Sequence, residues 1–139
     1  MDVAALVTWI VTAGFGFSML TLWVRGGGTR TEGMTATTSH FRPPVVFGHF
    51  TIAVIGLVLW IIYLLTDTTA LAWIAFGVLV AVAILGETLV IRWARDRRST
   101  NLRRLAEQRI PPVLVGAHGI FAVATIVLVF LSALGVGGS

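Results

Sequence analysis

Two of the three histidines, His49 and His118, stand inside long apolar stretches, and one acidic residue, Glu87, stands inside a third. A neutral imidazole ligates metal ions or haem iron and shuttles protons near neutral pH. A carboxylate in an apolar stretch is costly, so it has to meet a partner, a cavity or a proton. The third histidine, His40, lies in a segment rich in Gly and Thr and reads as a solvated loop residue. The chain has no cysteine. That excludes disulfides, thiolate metal sites, covalent haem attachment and a cysteine nucleophile. No G-x-S-x-G, P-loop or dinucleotide fingerprint occurs, and Gly26-Gly27-Gly28 follows an apolar helical stretch rather than a strand.

The elements that must position these residues follow from composition. The 139 residues are 57% hydrophobic and 12% charged, with a mean hydropathy of +0.94. A soluble domain carries about 25% charged residues, so this chain has no polar shell to keep its interior in water. At roughly 20 residues per span, four membrane helices account for it, at about residues 3–24, 44–65, 71–93 and 113–134. The connections are short, so residues 1–139 form a single membrane domain, an all-α up-and-down four-helix bundle. The first stretch opens Met1-Asp2 with no basic region ahead of it and is too long for a signal-peptide core, which predicts a retained span.

All ten positive charges are arginine. Arg25, Arg30 and Arg42 lie in the loop at 25–43, and the other seven lie at or beyond the end of span three, most of them in the loop at 94–112. Short arginine-rich loops stay in the cytoplasm, which predicts both termini outside. Aromatic belts agree, with Trp23 and Trp93 at the cytoplasmic ends and Trp60, Tyr63 and Trp73 near the outer ends. The isoelectric point near 11.4 is explained by this topology: the arginine loops face anionic lipid head groups, and no nucleic-acid partner is implied. An all-arginine basic set suggests a GC-rich bacterial genome, hence a bacterial cytoplasmic membrane. The stretch from Gly26 to Ser39 has the composition of a mobile loop. Arg95 to Gln108 has helical composition, with Leu102 and Leu105 three apart, and is expected to lie as a short helix on the membrane surface.

The halves of the chain repeat one another. Span two opens Pro43-Pro44-Val45-Val46-Phe47-Gly48-His49, and span four opens Pro111-Pro112-Val113-Leu114-Val115-Gly116-Ala117-His118. Ala53-Val54 then matches Ala122-Val123, and Val58-Leu59 matches Val127-Leu128. Between spans one and three the echo is faint, with Ser18-Met19 opposite Gly86-Glu87. The pattern predicts a tandem duplicated two-helix hairpin with a central site built by both halves. Its pseudo-two-fold axis would lie along the membrane normal.

His49 and His118 lie roughly 9–10 Å inside their helices at 1.5 Å per residue, at one depth and on helices that run the same way. Spans two and four of such a bundle are commonly diagonal, and two histidines facing across a diagonal meet the requirement for axial ligation of haem. Gly48 and Gly119 beside them, with Ala53, Gly56 and Ala122, leave room for a flat ring, as do Gly14, Gly16, Ser18 and Gly86 on spans one and three. The same small residues also let membrane helices pack closely. Arg42, Arg92 and Arg109 suit propionate carboxylates and equally serve as topology markers.

The paired histidines on spans two and four resemble those of membrane b-type cytochromes, including the cytochrome b561 type and the respiratory b subunits. The resemblance covers His49, His118 and the helix arrangement. It implies one non-covalent haem b between spans two and four near the cytoplasmic side, with electron transfer to a partner such as a quinone or a respiratory complex. The chain departs from that pattern in offering a single pair, so a two-haem wire is not expected.

Glu87 lies at a depth close to the histidines. It reads either as a hydrogen-bond partner or proton relay for them, or as an intrahelical link toward Arg92 or Arg95. His49, His118 and Glu87 together also form a possible set for a divalent transition metal, with Met19 as a soft neighbour. Two other classes remain open: a cofactor-free accessory or scaffold subunit of a larger complex, and a small proton- or metal-coupled transporter, which would need to form a homo-oligomer.

Overall fold

The computed structural model describes residues 1–29, 39–98 and 105–136. Four α-helices account for nearly all of them: α1 (Asp2–Arg25), α2 (Pro43–Thr66), α3 (Thr69–Arg98) and α4 (Pro112–Ala133). All four are long and apolar enough to cross a membrane, and the chain is a multi-pass membrane four-helix bundle.

Helix starts and stops follow local chemistry. Prolines occupy the first positions of α2 and α4, where a missing N–H costs nothing. The residues before them, Arg42 (ψ 119°) and Pro111 (ψ 140°), are extended as proline demands. Asp67 closes α2 in the left-handed conformation, φ 52°, and its N–H donates to the Tyr63 carbonyl at 2.8 Å. Asp is one of the few non-glycine residues that enter this region readily, so α3 starts two residues later.

The strongest interfaces are α1 with α4 and α2 with α3, and the thinnest is α1 with α2. Among the described residues the backbones of α1 and α3 do not approach closely, nor do those of α2 and α4, so these are the diagonals. Each tight pair therefore joins one helix from each half of the sequence. Large apolar side chains such as Val3, Val7, Ile84 and Ile120 point outward, as lipid contact requires.

Two packed layers hold the bundle at its ends. One gathers Ala5, Trp9, Trp60, Tyr63, Ala72, Leu79 and their neighbours at the end holding Asp2 and Asp67. The other gathers Trp23, Phe41, Ala106 and Ile110 at the arginine-rich end. Trp23, Trp60 and Tyr63 therefore turn inward rather than forming interfacial belts, because each polar tip meets a protein partner. The Trp60 indole donates to the Asp2 carbonyl (3.3 Å), the Tyr63 hydroxyl to the Asp2 carboxylate (3.4 Å), and the Trp23 indole to Ser39 Oγ (2.9 Å). Trp73 stays exposed.

The segment expected as a surface helix is divided. Its first residues extend α3 to Arg98, and its last form a 3₁₀ turn, Ala106–Arg109; Leu102 lies outside the described residues. Leu105, Ala106 and Ile110 are buried against the bundle end, so the turn plugs that end instead of lying on lipid. The Gly-rich segment is likewise docked at its start: Gly27 and Gly28 are buried. Residues 30–38, the rest of the loop expected to be mobile, lie outside the described residues. A Cβ on Gly28 would run into the Trp23 indole. Gly28→Ala is therefore expected to lower stability by about 1–3 kcal/mol, the usual cost of overpacking, visible as a lower thermal midpoint in detergent.

Candidate functional site

Both histidines leave their own helices and bind a neighbour's backbone. His49 Nδ1 lies 3.0 Å from the Val82 carbonyl on α3, and His118 Nδ1 lies 2.9 Å from the Thr12 carbonyl on α1. A carbonyl only accepts, so in each neutral ring Nδ1 carries the hydrogen and Nε2 keeps the lone pair. The two rings face each other across the α2–α4 diagonal with centroids 6.3 Å apart and planes at 58°.

Bare backbone lets the rings reach those carbonyls. A Cβ on Gly86 would sit 3.0 Å from His49 Cε1, and one on Gly16 would sit 3.2 Å from His118 Cε1. Gly16 follows Thr12 by four residues and Gly86 follows Val82 by four, which puts each carbonyl and its glycine on one helix face. The register between α1 and α3 is thus 70 residues, and it also carries Ala5 onto Ala75, Ala13 onto Ala83 and Trp23 onto Trp93. The sequence match of Ser18-Met19 to Gly86-Glu87 is displaced by two residues: the mate of Gly86 is Gly16, and the mate of Glu87 is Phe17.

The rings line a cavity of about 390 Å³ between the two packed layers, within the roughly 300–1,000 Å³ common for small-molecule sites. It runs from Trp9 and Leu57 toward Trp23 and Ile110 at the arginine-rich end, and its wall is overwhelmingly apolar. Its two sides differ at positions the repeat makes equivalent: Phe17 and Phe50 on α1 and α2, Glu87 and Gly119 on α3 and α4.

Of the residues singled out from sequence, His49, His118, Gly119, Ala53, Ala122, Gly16, Gly86 and Glu87 line this cavity, as does Met19. Gly48 and Gly14 face open space, and Gly56 packs on Trp9 and Val78. Arg42 is the exposed cap of α2. Arg92 is exposed and reaches the His40 carbonyl at 3.5 Å. Neither arginine lines the cavity. Glu87 makes no hydrogen bond to either histidine among the described residues; the second ring nitrogens are held by backbone instead.

No family model, curated protein or solved structure matches the chain.

The site's chemistry accordingly rests on its own atoms. Two neutral imidazoles, each oriented by a hydrogen bond through Nδ1, keep their Nε2 lone pairs for a ligand within a largely apolar cavity. Ligating histidines typically show this arrangement, with the non-ligating N–H tied to a carbonyl or carboxylate. His49, His118 and Glu87 do not converge as a trio; among the described residues the only three potential metal-ligating side chains that do are His40, Asp96 and Glu107. His40 is thus tied to Asp96 and Glu107 and is not the freely solvated residue its loop suggests; these partners lie 56 and 67 residues away, with no spacing signature in the sequence.

Proposed function

We propose that the protein is a small membrane b-type cytochrome that holds one haem b between α2 and α4 through His49 and His118. The spacing of the two rings carries this reading. A metal–imidazole bond is about 2 Å and the nitrogen lies about 1.1 Å from its ring centre, so trans imidazoles on one iron hold their centroids about 6 Å apart. The two rings stand at 6.3 Å. Such rings together with an overwhelmingly apolar wall suit a flat, hydrophobic macrocycle better than a hydrated ion.

Haem would supply one-electron redox chemistry. The chain's residues hold the ligand nitrogens, exclude water and fix the tautomers. The Val82 and Thr12 carbonyls make the imidazoles more electron-rich by accepting their Nδ1 hydrogens. The layer containing Trp9, Trp60 and Tyr63 fills the far end without another histidine, so electrons would arrive and leave from the arginine-rich side. That side faces the cytoplasm of a bacterial cell in this reading, with both termini outside and a membrane quinone or respiratory complex as the redox partner. In this reading Glu87, exposed at the cavity wall, would exchange a proton with such a partner.

The test is a dithionite-reduced minus oxidised absorption spectrum of detergent-purified protein expressed with haem supplied. A Soret band with sharp reduced α and β bands, at one haem per chain, is expected. A featureless spectrum from folded protein would overturn the assignment.

A further inference from the structure

A second cluster lies at the arginine-rich end, outside the histidine cavity. His40 precedes α2, Asp96 sits near the end of α3, and Glu107 belongs to the 3₁₀ turn before α4. Each offers one ligand atom, and the three atoms lie within 4.8 Å of one another. His40 Nδ1 is 2.8 Å from Asp96 Oδ1, and the His40 backbone N–H donates to Glu107 Oε1 at 2.6 Å.

The remaining carboxylate oxygens are what this network fails to explain. Glu107 is fully buried, yet among the described residues its Oε2 has no partner, and Asp96 Oδ2 is likewise buried and unpartnered. A buried charged oxygen left unsatisfied is among the costlier defects a fold can carry. The nearby arginines are turned to carbonyls instead: Arg92 to His40 (3.5 Å) and Arg97 to Ile110 (3.3 Å).

We infer that His40, Asp96 and Glu107 form a binding site for a divalent transition-metal cation. One imidazole nitrogen and two carboxylates make a mixed donor set of the kind that takes manganese, iron or zinc ions. The 2.8 Å contact between His40 and Asp96 suits two neighbouring ligands, since adjacent donors on a six-coordinate ion with bonds of about 2.1 Å lie about 3 Å apart. His40 is half exposed, which gives the ion a route in and leaves positions for water. The bound ion ties three chain segments together close in sequence to Phe41 and Ile110, which line the cavity. The site is independent of haem.

The experiment is a titration of the chelator-stripped full chain in detergent with Mn²⁺ and with Zn²⁺, read by calorimetry and by thermal midpoint. One ion per chain is expected, with a higher midpoint on binding. Affinity should fall at least about 100-fold in Glu107→Gln and in Asp96→Asn, beyond the loss typical for outer-shell partners. The same ion must still bind to His49→Ala and His118→Ala chains, which separates this site from the cavity histidines. Should Glu107→Gln fail to fold by circular dichroism, Asp96→Asn and His40→Ala make the comparison. No stoichiometric binding, or equal binding in the folded variants, overturns the site.

Discussion

Alanine in place of either His49 or His118 is expected to remove the six-coordinate haem spectrum as a whole rather than half of it. The two rings share one gap of 6.3 Å, so each is one end of a single clamp. Neither has a substitute on its own helix: among residues of the cavity wall, the other side chains of ligating type are the Met19 thioether and the Glu87 carboxylate, which lie on helices other than α2 and α4. A single-histidine variant would keep at most a five-coordinate, loosely held haem, with the sharp reduced α band lost. Retention should drop by more than the 10–100-fold that removal of an outer-shell partner typically costs. The fold should survive, because both end layers are built without these residues. Circular dichroism and haem per chain, measured together, check both halves of the expectation. An unshifted six-coordinate spectrum in either folded variant would show that haem sits elsewhere.

The bundle, its four spans and the shared depth of the histidines were legible in the sequence, because apolar run length and proline positions act locally. The partner surfaces were not. Thr12 and Val82 contribute only their carbonyl oxygens, so a threonine and a valine do the same work and no residue match flags them. Gly16 and Gly86 act by lacking a side chain, and glycine is common in these spans for ordinary packing reasons. The 70-residue register became visible only through the contacts it makes. The choice of interfaces was hidden for a similar reason: the stripes that join α1 to α4 are as apolar as the faces turned to lipid. Trp23, Trp60 and Tyr63 read as interfacial by type, and tertiary hydrogen bonds to Ser39 and Asp2 drew them inside.

Valine at Gly86 or Gly16 is expected to unseat the histidine on the facing helix and cost most of the haem, without touching a ligand. At Gly86 the first added carbon would already lie 3.0 Å from His49 Cε1, with Nδ1 at 3.6 Å and Nε2 at 3.9 Å. That approach is tighter than nearly all real Cβ contacts, so the ring must already give by a few tenths of an ångström, and the β-branched methyls of valine fill the remaining space. The ring must swing away, breaking its bond to the Val82 carbonyl and misdirecting Nε2. Loss of such a tether typically weakens a metal site 10–100-fold. Alanine separates the two positions: Gly86→Ala should be more damaging than Gly16→Ala, where the contact to His118 is 3.2 Å. Gly48 supplies the control. It is adjacent to His49 in sequence, but nothing lies within 4 Å of a Cβ built there. Gly48→Ala should leave the spectrum intact and stabilise the helix by about 0.5–1 kcal/mol. Haem content and α-band sharpness across these variants decide the matter. Equal losses from Gly48→Ala and Gly86→Ala would mean that small residues serve only general helix packing; a graded loss confined to Gly86 and Gly16 would tie them to holding the histidine rings.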